Sequence, residues 1–408
     1  MATGLREGMA SIAQKGLIQP KEAMSEINQK TNSLYIGIPK EISFQENRIA
    51  LTPLSVALLV NNGHRVIIET GAGVGANFSD NDYSEQGAKI SFNKKEVFEA
   101  DIIVKIAPPT LDEIAIMHKG QTLISALQMG TLKESYLKAL LNKKINAICF
   151  EHIRDEGNIL SVVRSMSEIV GSTSILIAAE YLSNVTGGKG LMLGGFTGVP
   201  PTEIVILGAG TVGEYAARTA IALGAEVKVF DSSLYRLRRL QNNLGTRVFT
   251  SVMQPIVLGK AITTCDVVIG AIRASHGRSP CVVMEETVAS MKPNSVVIDV
   301  SIDQGGCFET SRVTNHKDPV FRKHDVIHYC VPNIASRVPR TASYALTNIF
   351  TPILVDIGDM GGLMNVVWSK PGIRDALYIY QGHLTSKDLA AMFNLPYKDI
   401  ELLVAANQ

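Results

Sequence analysis

The run Ile204-Val205-Ile206-Leu207-Gly208-Ala209-Gly210-Thr211-Val212-Gly213 decides the fold of this 408-residue chain. Ile204 to Leu207 read as a buried strand, the glycine turn follows at once, and Glu214 to Leu223 read as a helix that Gly224 stops. A second strand, Val227 to Phe230, ends in Asp231. A lone G-x-G-x-x-G is a weak signal. Strand, turn, helix, second strand and terminal acid in register within about 30 residues make a complete βαβ unit. Gly208 permits the tight turn, Gly210 lets backbone approach a pyrophosphate, and Gly213 packs helix on strand.

The helix N-terminus, at Thr211 and Val212, offers unpaired amides and a positive dipole end to a pyrophosphate. Asp231 is placed to accept hydrogen bonds from a ribose 2′-hydroxyl and disfavours a 2′-phosphate, so NAD is the expected cofactor. Arg236, five residues on, undercuts that choice if it points at the 2′ position.

Working outward, the length predicts two domains. Charged residues make up 19% and hydrophobic ones 46%, and the formal net charge is +1, so neither a nucleic-acid footprint nor an acidic tail is indicated and the partner is expected to be a small molecule. Five scattered cysteines with no CxxC or zinc-ligand spacing predict reduced thiols, a cytoplasmic setting and no metal. No secretory leader is read in residues 1 to 20. Ile169 to Leu182 is long and mostly apolar but falls short of the roughly 18 apolar residues of a membrane span.

Residues 1 to 33 read as an N-terminal extension, with Leu5, Met9 and Ile12 at helical spacing. From there short apolar runs alternate with helical patterns. Strands are predicted at Tyr35 to Ile38, Arg65 to Glu69, Ile102 to Ile106, Thr122 to Leu127 and Ala147 to Phe150, then at Val267 to Ile269, Val296 to Val300 and Val326 to Tyr329. Two long helices, Met166 to Asn184 and Thr341 to Ile357 with a kink expected at Pro352, join the halves. The predicted fold is α/β: two Rossmann-like, doubly wound parallel-sheet domains with a cleft between them. Residues 34–162 and 341–408 are expected to form the substrate domain, and 163–340 the NAD-binding domain.

In such sheets ligands sit beyond the carboxyl ends of the strands. Polar residues there are Lys105, Gln128, Arg273, Asp303 and Asn333. Arg48, in the loop after the first strand, offers a planar fork for a carboxylate, and Lys105 adds a point charge, which together suggest an anionic substrate. Asp303 follows an apolar strand and precedes Gln304-Gly305-Gly306, a turn that lets backbone come close.

These residues carry a resemblance. Gly37-Ile38-Pro39-Lys40-Glu41 followed by Glu46-Asn47-Arg48-Ile49-Ala50-Leu51-Thr52-Pro53 resembles the opening of the alanine dehydrogenase family and the related transhydrogenase α subunit. Met166-Ser167-Glu168, Asp299-Val300-Ser301-Ile302-Asp303-Gln304-Gly305-Gly306 and Thr341-Ala342-Ser343-Tyr344-Ala345-Leu346-Thr347-Asn348 favour the former. The resemblance implies oxidative deamination of L-alanine to pyruvate and ammonia with NAD, usually in a homo-oligomer. It implies that Arg48 and Lys105 bind the substrate carboxylate and carbonyl and that Asp303 is the catalytic acid. It implies cofactor contacts from Ser167, the Gly208 turn, Asp231 and Arg236, with Asn333 beside the nicotinamide. Ile272, Arg273, Ile302 and Asp303 are counted with the cofactor-binding residues.

Gln128 departs from the pattern. The resemblance implies a catalytic His there, and a glutamine cannot exchange a proton near pH 7. An NAD-binding regulatory protein, or a transhydrogenase-like partner passing hydride between nicotinamides, would not need that carrier. The loop Ile272-Arg273-Ala274-Ser275-His276-Gly277-Arg278 is also more basic than the family's turn. Two readings of it stay open: Arg273 or His276 reaches the cleft, or both are solvated.

Overall fold

The computed structural model describes residues 33–405 apart from Gly130, Ser275 and His276. The helical spacing of Leu5, Met9 and Ile12 and the reading of His276 lie outside the described residues. Among the described residues the strands are β1 Tyr35–Ile38, β2 Arg65–Glu69, β3 Lys89–Ser91, β4 Ile102–Val104, β5 Thr122–Ser125, β6 Asn146–Cys149, β7 Glu203–Leu207, β8 Glu226–Phe230, β9 Phe249–Ser251, β10 Val267–Gly270, β11 Val296–Asp299, β12 Val320–Lys323, β13 Val326–Tyr329, β14 Leu377–Tyr380 and β15 His383–Leu384. They form two sheets, β15-β14-β6-β5-β4-β1-β2-β3 and β12-β13-β11-β10-β7-β8-β9. β1 to β6 are parallel, as are β7 to β11 with β13; β14, β15 and β12 add antiparallel edges.

Parallel strands covered by helices on both faces must be apolar on both, and these are. Ile204 and Ile206 enter one core while Val205 and Leu207 enter the core on the opposite face. Ile102 and Val104 likewise oppose Ile103. Strand order reverses between β1 and β4 in the first sheet and between β7 and β10 in the second. A crevice opens beyond the strand ends at each reversal, which is where ligands of such sheets bind.

β4 and β5 end two residues earlier than their apolar runs predict: Lys105 and Ala126 still pair across the two strands, and beyond them the buried carboxylate of Glu41 and the part-buried one of Glu151 claim the amides. Glu41 accepts from the amides of Ile106 (2.6 Å) and Ala107 (3.3 Å). Glu151 accepts from those of Leu127 (2.9 Å) and Gln128 (3.2 Å). These departures from the ladder lie at the crevice.

The first connecting helix spans Ser161–Leu182. Val162 packs in the first lobe's core, and Ile175, Ile177 and Leu182 pack in the second's. With a mean hydropathy of 1.3 over its most apolar window it is long and apolar enough to cross a membrane, and here it ties two cores together. The second, Pro339–Asp359, returns to the first lobe through Leu346, Phe350, Leu354 and Ile357. It starts on Pro339, where a missing N–H costs nothing, and runs through Pro352 as one helix.

Candidate active site

The glycine turn is built as its sequence requires. Gly208 has φ +110°, and a side chain there would begin 2.4 Å from the Ala271 carbonyl oxygen. A Cβ at Gly213 would lie 1.9 Å from the Gly208 carbonyl oxygen. A Cβ at Gly210 would meet nothing within 4 Å, so the space in front of this glycine is open to a ligand. The helix begins at Thr211, three residues before its apolar pattern, and no side chain caps it. Its first-turn amides face that space with the positive end of the helix dipole.

Asp231 follows β8 and is 3% exposed. Its carboxylate accepts from the amides of Ala209 (2.7 Å) and Ser233 (2.8 Å), so the acid also braces the turn. Arg236 Nη1 stands 3.9 Å from the same carboxylate. A cavity of about 600 Å³ is lined by Ser167, Gly208, Gly210, Thr211, Val212, Asp231, Arg236, Ile272 and Arg273. The open cradle at Gly210, the uncapped helix and the terminal acid fit the pyrophosphate and ribose of a dinucleotide. Gly213, Ile302, Asp303 and Asn333 are not on this wall. Sequence reasoning missed Arg164, Arg239 and Met253, which are. Arg239 had a legible signal: three residues after Arg236 on the helix Leu234–Leu244, it shares its face, and it donates to the Ala209 carbonyl (3.2 Å).

Asp303 sits on the short turn Val300–Gln304 that leaves β11. The residue is exposed, yet the packing around its carboxyl raises its pKa through desolvation, against backbone hydrogen bonding and the Arg273 charge. Arg273 is exposed and also lines the cavity. The turn hangs on Asp299, a buried acid the sequence reading passed over. It accepts from the amides of Ser301 (3.0 Å) and Cys307 (2.9 Å) and from the Ser311 hydroxyl (2.6 Å).

In the first lobe Arg48 does not stand free. Its Nε and Nη2 donate to the two oxygens of Glu46 (2.7 and 2.6 Å), and Nη1 reaches Met166 Sδ at 3.6 Å. Glu46 also accepts from Asn333 Nδ2 of the other lobe (3.0 Å). Burial alone would raise the Glu46 pKa; the Arg48 guanidinium and the Asn333 amide outweigh it and hold the carboxyl below its ordinary range. Lys105 is 1% exposed, with Nζ 3.4 Å from both Glu41 and Glu113. Burial raises the Glu41 pKa, opposed by Lys105, and Glu46 adds to the rise. The two cations thus belong to one electrostatic cluster, Lys105 through Glu41 and Arg48 through Glu46. Gln128 is exposed, with a left-handed φ of +50°.

Comparison with known proteins agrees with this architecture. The model for the alanine dehydrogenase/PNT N-terminal domain matches residues 37–170, and that for the C-terminal domain matches 174–387. The chain belongs to the alanine dehydrogenase/PNT family. It is 39% identical over 373 residues to an alanine dehydrogenase of Mycolicibacterium smegmatis, covering 91% of this chain and 100% of that one. It is 40% identical over 370 residues to an alanine dehydrogenase of Methanococcus maripaludis, covering 90% and 99%. A solved L-alanine dehydrogenase superposes with a TM-score of 0.82 at 35% identity, over 88% of this chain and 99% of that one. A transhydrogenase from Sinorhizobium meliloti shares the fold, with a TM-score of 0.74 at 24% identity over 86% and 99%.

Proposed function

We propose that the protein is an NAD-dependent alanine dehydrogenase, converting L-alanine, NAD and water to pyruvate, ammonium, NADH and a proton. The observation that carries this reading is the meeting of Arg48 and Asn333, one from each lobe, on the single carboxylate of Glu46. That contact sets a carboxylate-binding cation beside the lobe that carries the dinucleotide turn. NAD, when bound, supplies the hydride acceptor. Asp231 receives the ribose hydroxyls, and the Thr211 end of the helix faces the pyrophosphate. Arg48 turns its remaining Nη1 and Nη2 edge to the substrate carboxylate, Lys105 serves the carbonyl or amino end, and Asp303 moves protons at its carboxyl oxygen. In this reading residues 34–162 and 341–408 hold the substrate, residues 163–340 hold NAD, and the protein works as a cytoplasmic homo-oligomer.

A second reading, an NAD-binding regulatory protein without turnover, is favoured by Gln128 alone. General acid-base help is worth about 10² to 10⁴ in rate, so its loss is decisive if no other group replaces it. NADH oxidation with ammonium and a panel of 2-oxo acids separates the two. The dehydrogenase reading expects turnover with pyruvate, and a faster Gln128→His variant if proton transfer limits the rate. NADH binding without turnover of any oxo acid, in the wild type and in Gln128→His alike, would leave the regulatory reading.

A further inference from the structure

An arginine has two edges that can each form a pair of parallel hydrogen bonds with a carboxylate. In Arg48 the Nε and Nη2 edge is fully occupied by Glu46, in a pair whose side chains are 14% and 4% exposed. Only the other edge, whose Nη1 has among the described residues no partner but the weak acceptor Met166 Sδ at 3.6 Å, is left for an incoming carboxylate, and its direction is fixed by how Glu46 sits. Glu46 is in turn held from across the cleft. Asn333, which follows β13 of the second lobe with a left-handed φ of +58°, donates its amide to the same Oε2 that takes Arg48 Nη2. The neighbouring Asn47 amide donates to the Ser336 hydroxyl (2.9 Å), which donates to the Gln45 carbonyl (2.8 Å), so the loop carrying Glu46 is pinned to the second lobe at three adjacent residues.

We propose that Glu46 is a positioning residue that couples dinucleotide binding to oxo-acid binding, by aiming Arg48 at the substrate carboxylate only while Asn333 holds it from the NAD lobe. The Glu46 carboxylate is shared between the lobes: Arg48 donates through its backbone amide, Nε and Nη2 from its own side, and Asn333 and, at 3.5 Å, the Ser336 hydroxyl donate from the other, with Asn333 alone on the oxygen that takes Arg48 Nη2, so loss of the Asn333 contact lets that oxygen reorient. Any shift of Asn333 on dinucleotide binding is therefore felt at the guanidinium. Linkage makes the effect reciprocal: substrate held by Arg48 must tighten the dinucleotide by the same factor. The inference rests on the dehydrogenase reading for the identity of the substrate but not for the linkage itself.

The test is a fluorescence titration of the full-length protein with NADH, with and without saturating pyruvate and with ammonium left out. In the wild type pyruvate is expected to tighten NADH by about fivefold or more, the lower end of ordinary coupling. Glu46→Gln keeps the shape and one acceptor oxygen but loses the charge and the second acceptor. Asn333→Gly removes the amide from the opposite lobe and tolerates the left-handed backbone. Each is expected to bring the tightening below about twofold, and the double variant to add nothing, as members of one linkage do. In steady state Glu46→Gln should raise the KM for pyruvate more than it lowers kcat, with NADH affinity in the absence of pyruvate unchanged. A merely structural role would weaken all three together. Full tightening in both variants would overturn the inference, as would no tightening in the wild type, whether or not it turns over. Tightening without turnover in the wild type, abolished in the variants, would remove the proposed activity and leave the linkage standing.

Discussion

Asp231 has two duties that pull on one carboxylate: it faces the cavity where a ribose would lie, and it takes the amides of Ala209 and Ser233. Each carboxylate oxygen has a second lone pair, so bracing the turn leaves acceptors for a 2′-hydroxyl but none that a 2′-phosphate could use. NADH is therefore expected to bind more tightly than NADPH, and Asp231→Ala to narrow that preference by about tenfold, or 1.4 kcal/mol, through loss of like-charge repulsion. Comparable affinities in the wild type would instead assign Arg236 to the phosphate. At this scale the sequence was legible where a residue acts on its near neighbours. Gly208, Gly210, Gly213 and Asp231 act within one βαβ unit, and their roles follow from spacing. Arg164 and Met253 carry no such signal, and only the packing of separate segments brings them to the wall that Arg236 and Arg239 share.

At the scale of elements, the first connecting helix touches the dinucleotide helix through a glycine. A Cβ on Gly171 would lie 2.4 Å from the Val212 carbonyl oxygen and 2.8 Å from the Tyr215 Cβ. Val212 is in the first turn that lines the cavity. Gly171→Val should push the helices apart, cost about 1–3 kcal/mol of stability, and weaken NADH binding as well. Denaturant unfolding and NADH titration check the pair, and a variant that lost stability but bound NADH normally would uncouple this contact from the cradle.

The β12–β13 hairpin carries a second element-scale prediction. His328 is fully buried, stacks on Phe321 with ring centroids 4.8 Å apart, and its Nε2 meets the Thr310 hydroxyl at 2.9 Å. Burial lowers its pKa to about 4. The folded state thus holds it neutral while the unfolded chain protonates it below its ordinary value of about 6.5. The unfolded state binds more protons between those limits, so this contribution is full above about pH 6.5 and is lost as pH falls toward 4. The loss is about 3 kcal/mol. Urea midpoints measured across that window should fall less steeply in His328→Gln.

At the scale of the whole molecule, the loop between the first connecting helix and β7 leaves Val185, Met192, Phe196 and Val199 exposed, Val185 at 94%. Such a cluster on one loop suits contact with a second copy, in keeping with the proposed homo-oligomer. Light scattering is expected to give a multimer for the wild type and a smaller species for Phe196→Glu. A monomeric wild type would remove the oligomer from the reading.

The sequence by itself determined the βαβ unit, the parallel central strands of the two sheets, the two connecting helices and the family, but not the edge strands β3, β9, β12, β14 and β15, of which the last three run antiparallel. What it determined is encoded by periodicity, turn chemistry or motifs that operate over a few tens of residues. It misjudged the ends of β4 and β5, because an apolar run cannot show that a distant carboxylate will claim the next amides. Only the tertiary structure decided how the site's charges are arranged. Glu46 and Asn333 are 287 residues apart and meet because the crevices of two sheets face one another. A polar pair of that kind depends on where whole lobes are held, which no local pattern along the chain specifies.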